Sequence, residues 1–169
     1  PGGYAAAFRA ADLGIKTTLI DPEANPGGVC LYRGCIPSKA LLHVAKVKKE
    51  ALELANFGVR FGEPEIDVKK IGEWKDEVVK KLTSGLGQLS KARKVEFIQG
   101  KAFFKDEQTL EIKKNSGDSY ELEFENVIIA TGSTPTELPN IEVDHQLIWN
   151  SKDALDIKEI PKKLLVIGG

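Results

Sequence analysis

Both cysteines of the chain lie within one stretch, Gly27-Gly28-Val29-Cys30-Leu31-Tyr32-Arg33-Gly34-Cys35-Ile36-Pro37-Ser38-Lys39. Pro37 is typical of the first turn of a helix, so Cys35 is predicted at a helix N-terminus, where free N–H groups favour a thiolate. Lys39 adds positive charge one turn further on. Cys30 is predicted on a loop outside the helix, which brings it back over Cys35. The pattern indicates a disulfide that opens and closes as part of a reaction.

Other interpretations of the cysteine pair are less favoured. A disulfide across so short a loop gives less entropic stabilisation than one that closes a long loop, which argues against a structural staple. A metal site remains an alternative, although two thiols without further Cys or suitably spaced His make a poor zinc site. Chance neighbours in a core are disfavoured by the flanking glycines, Pro37 and Lys39.

The bulk composition is that of a globular protein. The 169 residues, 41% of them hydrophobic and 29% charged, are enough for one domain with a core. The formal net charge is −1, and basic residues are mixed with acidic ones, so nothing points to nucleic acid. No apolar run approaches the length of a membrane span, and no signal peptide is visible. Two cysteines are too few for a secreted disulfide scaffold, so a reactive pair in a reducing compartment, the cytoplasm, is expected.

A second pattern lies at the start of the chain, where Pro1-Gly2-Gly3 precedes an Ala-rich helix predicted over residues 4–14. A strand is predicted over residues 16–20, with Asp21 at its carboxyl end. A glycine turn, a helix and then a strand form the second half of a βαβ unit. Such a turn is typical of the tail of G-x-G-x-x-G, whose helix binds a pyrophosphate, and Asp21 is placed to accept both ribose hydroxyls of a nucleotide. The alternative is an ordinary turn followed by a surface Asp.

The middle of the chain predicts two long helices. The first carries Pro37 in its first turn and ends before Gly58. The second covers about residues 67–92, with Asp67 as its cap and apolar side chains at helical spacing, although it contains three glycines.

Short strands follow, predicted over residues 95–99, 102–104, 109–113 and 120–124. The alternation in the last of them indicates a small antiparallel sheet with one wet face. The apolar run 127–130 is predicted as a buried parallel strand, and 164–167 as a further strand. Because the chain starts on one glycine turn and stops on another, it is interpreted as a piece of a longer protein whose first strand precedes Pro1.

The residues from Gly27 to Lys46 resemble the flavoprotein disulfide reductases, and those from Cys30 to Leu42 are similar to the lipoamide branch of that family. The opening glycine turn, Asp21, Ala130-Thr131-Gly132-Ser133 and the closing Leu-Val-Ile-Gly-Gly extend the resemblance over the whole chain. It implies an α/β fold, namely a Rossmann-like FAD-binding domain with a parallel sheet, helices and a small antiparallel β-meander, truncated at both ends.

The resemblance also implies a domain division. The FAD-binding domain would cover residues 1–148, without its first strand. Residues 149–169 would form the connection and the first strand of an NAD-binding domain.

The same resemblance implies roles for individual residues. Cys35 would be the thiol beside the flavin ring and would form a charge-transfer contact when reduced. Cys30 would be the outer thiol that exchanges with dihydrolipoamide, and Lys39 would lie by the reactive nitrogen of the flavin. The remaining residues implied to bind FAD are Gly2, Gly3, Asp21, Pro22, Gly27, Gly28 and Val29, with the backbone at Ala102, Thr131, Gly132 and Ser133 closing over it. Gly168 and Gly169 would be the first glycines of the NAD turn, and no metal is implied.

The implied function is the oxidation of protein-bound dihydrolipoamide to lipoamide through the disulfide and FAD, with reduction of NAD. The partner would be the lipoyl domain of a 2-oxoacid dehydrogenase complex, and the parent protein would be a homodimer that meets neither nucleic acid nor membrane. One alternative is a mercuric or glutathione reductase-like enzyme, against which Ile36 and Ser38 favour the lipoamide branch. The other is an isolated FAD-binding fragment, which is expected to be inactive by itself.

Two positions depart from the family pattern. Val29 stands where a Thr is frequent, and Tyr32 replaces a common Asn inside the cysteine loop, so each would shift the redox potential. His43 and His145 are interpreted as structural or solvent-exposed, because the acid–base His of the family belongs to a C-terminal interface domain. Both tryptophans are interpreted as packing residues.

Overall fold

The computed structural model describes residues 1–168, which form an α/β fold of four helices and four strands. The helices are α1 (Gly2–Asp12), α2 (Gly28–Arg33), α3 (Cys35–Glu53) and α4 (Val68–Ala92). The strands are β1 (Thr18–Asp21), β2 (Glu96–Phe104), β3 (Thr109–Lys114) and β4 (Ser119–Glu123). Two short 3-10 helices cover Leu54–Phe57 and Asp153–Leu155. The α/β class expected from the sequence is confirmed.

The strands form one sheet in the order β1-β2-β3-β4. β1 is parallel to β2, whereas β2, β3 and β4 pair antiparallel as the expected meander. The two strands predicted over 95–104 are a single strand, β2. Exposed and half-buried residues alternate along β4, which confirms its wet face. The core of the sheet consists of Ile98, Leu110 and Ile112, with Ile20, Tyr120, Leu122 and Phe124 packed around it.

The two long helices confirm the predicted boundaries. The Asp67 carboxylate accepts a hydrogen bond from the Lys70 N–H at 3.0 Å, which caps the start of α4. α3 passes into the first 3-10 helix and stops at Gly58, whose φ of 89° is the left-handed conformation that commonly ends helices.

The strands predicted over 127–130 and 164–167 are wrong. Neither run has strand pairing anywhere in residues 1–168, and Ile128 and Leu165 are 71% and 84% exposed. An apolar run predicts burial, but a strand also requires a neighbouring backbone to accept and donate its hydrogen bonds. Within residues 1–168, no strand pairs with either run.

The chain divides into two compact units. One contains residues 1–32 and 80–134, including the whole sheet, and the other contains residues 33–79 together with the segment from residue 135 onward. The division falls inside α4. The division at 148/149 between an FAD-binding and an NAD-binding domain stays a prediction. Across residues 1–168, none of the helices combines the length and apolarity that crossing a bilayer demands.

Candidate functional site

The opening glycine turn leads directly into α1. Pro1 occupies the N-cap position, and within residues 1–168 no side chain caps this helix. Its first N–H groups are therefore open to an anion, which the helix dipole also favours. Gly3 lies against the segment after β4, because a Cβ at this position would be 3.3 Å from Ala130 Cβ and 3.8 Å from Leu19 Cδ1. The third position of the turn thus permits close packing of helix and strand.

Gly28 brings a second segment to the same turn. Its φ is +64°, and a Cβ there would lie 2.7 Å from the backbone nitrogen of Pro1. Gly132 adds a third segment, since its φ is +78° and a Cβ would lie 3.5 Å from Val29 Cγ2. We call Pro1–Gly3, Gly28–Val29 and Ala130–Gly132 the glycine cradle. The structure therefore assembles most of the glycines predicted for nucleotide binding into one crowded backbone surface.

Gly27, which is buried, fixes the loop before α2. A Cβ at this position would meet Leu31, Tyr32 and Thr83 at 3.1 to 3.2 Å. The Tyr32 hydroxyl donates a hydrogen bond to the Asn25 carbonyl at 2.9 Å. The loop is thereby packed between α2 and α4.

Gly87 is one of the three glycines that weakened the prediction of α4, and its surroundings explain its presence. A Cβ at Gly87 would lie only 2.1 Å from Asn25 Oδ1, so a side chain at this position would displace the Asn25 amide from α4. Gly87 therefore accommodates the Asn25 side chain within α4, which continues past it to Ala92.

Asp21 is the last residue of β1 and is half-buried. Its Oδ1 accepts a hydrogen bond from the Glu23 N–H at 2.9 Å. The following carbonyl, that of Pro22, accepts hydrogen bonds from Gln99 Nε2 at 3.3 Å and Asn115 Nδ2 at 2.8 Å. Sequence reasoning missed these two amides, because only the strand register places them beside Asp21.

Cys30 lies inside α2, so its predicted position on a loop is wrong. The segment 28–33 is too short to show helical periodicity, so its sequence does not distinguish a helix from a loop. Gly34, with φ −147° and ψ −113°, separates α2 from α3. Cys35 is the first residue of α3, as predicted. Ser38 Oγ donates to the Gly34 carbonyl at 2.5 Å, which ties the first turn of α3 together.

The two cysteines are present as thiols, Cys30 half-buried and Cys35 exposed. The Cys30–Cys35 disulfide therefore stays a prediction. Lys39 is exposed on α3, one turn beyond Cys35. In residues 1–168 no three His, Cys, Asp or Glu side chains are grouped as a metal-binding set.

The other predicted site residues are spread over the fold. Ala102 lies in β2, paired with Ile112, and is exposed. Thr131 and Ser133 are exposed on either side of Gly132. Gly168 has a φ of +92°, whereas Gly169 lies outside the described residues.

Both histidines have neighbours within the second unit. The rings of His43 and Trp74 lie 6.4 Å apart. His145 Nδ1 lies 2.8 Å from Asp153 Oδ2, the His145 side chain is exposed, and its backbone φ is +60°. The preceding residue, Asp144, accepts backbone hydrogen bonds that hold its pKa below the ordinary Asp value.

The chain matches, over residues 1–169, the family model described as Pyridine nucleotide-disulphide oxidoreductase. It is 50% identical over 169 residues to a dihydrolipoyl dehydrogenase of Buchnera aphidicola subsp. Schizaphis graminum, and 50% identical over 169 residues to one of Haemophilus influenzae. It is 46% identical over 170 residues to one of Bacillus subtilis. Each alignment covers 100% of this chain and 35% of the relative, so the chain spans about a third of their length.

Among solved structures, the fold is similar to that of LpdA from Mycobacterium tuberculosis. The TM-score is 0.84 at 22% identity, over 95% of this chain and 36% of that chain. At this identity the likeness shows a shared fold, which agrees with the helices, the parallel pairing and the meander predicted from the sequence.

Proposed function

The chain belongs to the pyridine nucleotide-disulphide oxidoreductase family, and from that premise we propose that it is the FAD-binding part of a dihydrolipoyl dehydrogenase. The complete enzyme oxidises protein-bound dihydrolipoamide to lipoamide and reduces NAD. The observation that carries this proposal is the pair Cys30 and Cys35 on consecutive helices, α2 and α3, with α2 beginning in the glycine cradle. Relatives 50% identical over the whole chain bear that name.

The glycine cradle fits the dinucleotide FAD. The open N–H groups of α1 suit its pyrophosphate, and the absence of side chains at Gly3 and Gly28 allows the backbone of this chain to approach it closely. Asp21 would accept the ribose hydroxyls, and the backbone at Ala102 and 131–133 would close over the nucleotide. When bound, FAD supplies the two-electron chemistry that connects the thiol pair with NAD.

The cysteines would act by thiol–disulfide exchange. A thiolate of dihydrolipoamide attacks the Cys30 sulfur of the oxidised pair, and Cys35 leaves as a thiolate. The second lipoyl thiol, after losing its proton, attacks its own mixed disulfide and releases Cys30, so lipoamide departs and the cysteine pair has gained two electrons. The N-terminus of α3 stabilises the departing Cys35 thiolate, and Lys39 adds positive charge nearby.

The wider assignments follow from the same proposal. Gly168 would open the turn of the NAD-binding domain. The partner would be the lipoyl domain of a 2-oxoacid dehydrogenase complex, and the complete protein would be a cytoplasmic homodimer. The 169-residue chain spans 35% of its relatives, and we assign FAD binding to this part and turnover to the complete enzyme.

A spectroscopic titration tests the proposal. The chain, reconstituted with FAD, is reduced anaerobically with dihydrolipoamide while the long-wavelength absorbance is recorded. We expect a charge-transfer band in the unsubstituted chain. The band should be present in Cys30→Ser before any reductant is added, because Cys35 would then lie unpaired beside the oxidised flavin, and it should be absent from Cys35→Ser under all conditions. Failure to bind FAD, or a band that survives only in Cys35→Ser, would contradict the assignment.

A further inference from the structure

Two side-chain amides converge on one backbone carbonyl beside Asp21. Gln99 Nε2 and Asn115 Nδ2 donate to the Pro22 oxygen at 3.3 and 2.8 Å. A carbonyl oxygen has two lone pairs, so the two donors satisfy it fully. We propose that Gln99 and Asn115 are positioning residues, which hold the Asp21 carboxylate in the orientation that the adenosine ribose of FAD requires. This inference rests on the proposed function and deepens it.

The sheet register places Gln99 for this task. In the parallel pairing of β1 with β2, Asp21 is the partner of Gln99, so the amide lies beside the last residue of β1. Because of this pairing, the Gln99 side-chain amide can reach the carbonyl of Pro22, the residue after Asp21. A shift of the register by one residue would turn the Gln99 side chain to the other face of the sheet.

Asn115 reaches the same carbonyl because β2 and β3 approach closely at their ends. The ladder starts at Gly100 and Lys114, and the Asn115 N–H donates to the Gln99 carbonyl at 3.1 Å. A Cβ at Gly100 would lie 2.5 Å from the Lys113 carbonyl oxygen, so the approach depends on glycine. The backbone hydrogen bond therefore holds Asn115 next to Gln99, from where its side-chain amide reaches the Pro22 carbonyl.

The two amide hydrogen bonds to the Pro22 carbonyl, which we call the clamp, restrain the Asp21 carboxylate through the residue that follows it. Asp21 Oδ1 is already bound to the Glu23 N–H at 2.9 Å. Because the intervening peptide is held at the Pro22 carbonyl, the Asp21–Glu23 turn is restrained at its centre as well as at its ends. One carboxylate oxygen is therefore committed to the turn, which determines where the other one points.

The first test needs no flavin. Amide hydrogen exchange at Glu23 is measured by NMR in the unsubstituted chain, in Asn115→Ala and in Gln99→Ala. Ser116→Ala is the matched control, because Ser116 belongs to the same turn but its hydroxyl donates to Asp118 at 2.9 Å. We expect exchange roughly 3- to 10-fold faster in Asn115→Ala, the loss of about one hydrogen bond. The control should exchange like the unsubstituted chain.

The second test is a double-mutant cycle on FAD affinity. Asn115→Ala should weaken FAD binding by roughly 3- to 10-fold, but it should add little to Asp21→Ala, because the clamp acts only through that carboxylate. Additive losses, or a Glu23 exchange rate that Asn115→Ala leaves unchanged while FAD still binds, would overturn this inference alone. Failure of the unsubstituted chain to bind FAD would overturn the proposed function and this inference with it.

Discussion

Gly28 is the position where two segments of the glycine cradle approach most closely. It combines a φ of +64° with a space that a Cβ could enter only by approaching the Pro1 nitrogen to 2.7 Å. Gly28→Ala therefore imposes both a left-handed backbone on alanine and a displacement of the N-terminal turn. We expect the free energy of unfolding, measured in urea, to fall by more than the 1–2 kcal/mol or so of the backbone effect alone.

Gly14 provides the matched control for that variant. Its φ is +81°, but no atom lies within 4 Å of the place a Cβ would take. Gly14→Ala should therefore show the backbone cost of about 1–2 kcal/mol and nothing more, and it should leave FAD affinity unchanged. If both variants lose the same free energy of unfolding, then Pro1 moves away from the new Cβ at position 28 with no loss of stability.

The loop held by the Asp144 carboxylate is expected to depend on pH. Its pKa is lowered from 3.8 by hydrogen bonds from the backbone N–H groups of Ile148, Gln146 and Leu147, so the folded loop favours the carboxylate. The loop is therefore most ordered above the ordinary Asp pKa, and this order is lost as pH falls through the lowered value. We expect the NMR amide shifts of residues 146–148 to move in that acidic range.

A substitution distinguishes the titration of Asp144 from that of Asp153. The pKa of Asp153 is also lowered, mainly by the hydrogen bond from the Asn150 N–H. Asp144→Asn keeps an oxygen that accepts hydrogen bonds but removes the titration. The acid transition of the amides at 146–148 should then disappear, while that of the Asn150 amide remains. An unchanged transition at 146–148 would assign it to Asp153 or to wider unfolding.

The start of helix α4 depends on one side chain. The Asp67 carboxylate accepts the Lys70 N–H at 3.0 Å and lies in the position preferred for helix caps. Asp67→Ala should lower the free energy of unfolding by about 1 kcal/mol, measured by urea denaturation. Asp67→Asn should retain most of that stability, because the cap needs an acceptor more than a charge. A loss as large in Asn as in Ala would point to the dipole or to the 3.8 Å Lys70 pair instead.

Elements with their own local signals were predictable from the sequence. α1, α3 and α4 carry a glycine, a proline or an aspartate at a boundary, together with apolar residues at helical spacing, and the meander carries alternation. α2 has a glycine at its start and another after its end, but its six residues complete fewer than two turns and show no helical spacing of apolar residues. Its placement depends on the packing of Gly27 against Thr83, a contact between segments far apart in sequence.

The candidate site shows the same division. Asp21, Gly28 and the cysteines were predicted, because turn glycines, strand ends and a pair of nearby cysteines are visible in the local sequence. Gln99 and Asn115 were not, since neither belongs to a motif and only the register of β1 on β2 brings them to Pro22. The fold had to be known before these residues could be recognised.

The apolar run after β4, residues 127–129, is exposed, whereas its composition predicts burial. Val127, Ile128 and Ile129 are 42%, 71% and 68% exposed, although their composition is that of a buried strand. Consecutive exposed apolar residues of this kind form a patch that promotes association. We therefore expect the chain to bind a hydrophobic dye and to sediment with concentration-dependent self-association.

The double variant Ile128→Ser with Ile129→Ser should reduce both effects, because it removes most of the patch without touching the cores of the sheet or the helices. Leu147→Ser is the matched control, since Leu147 is 91% exposed in a hydrogen-bonded loop outside this run. Analytical ultracentrifugation should show a lower association constant for the double variant and an unchanged one for the control. If both variants behave like the unsubstituted chain, association arises from another surface, and the run after β4 is exposed without consequence.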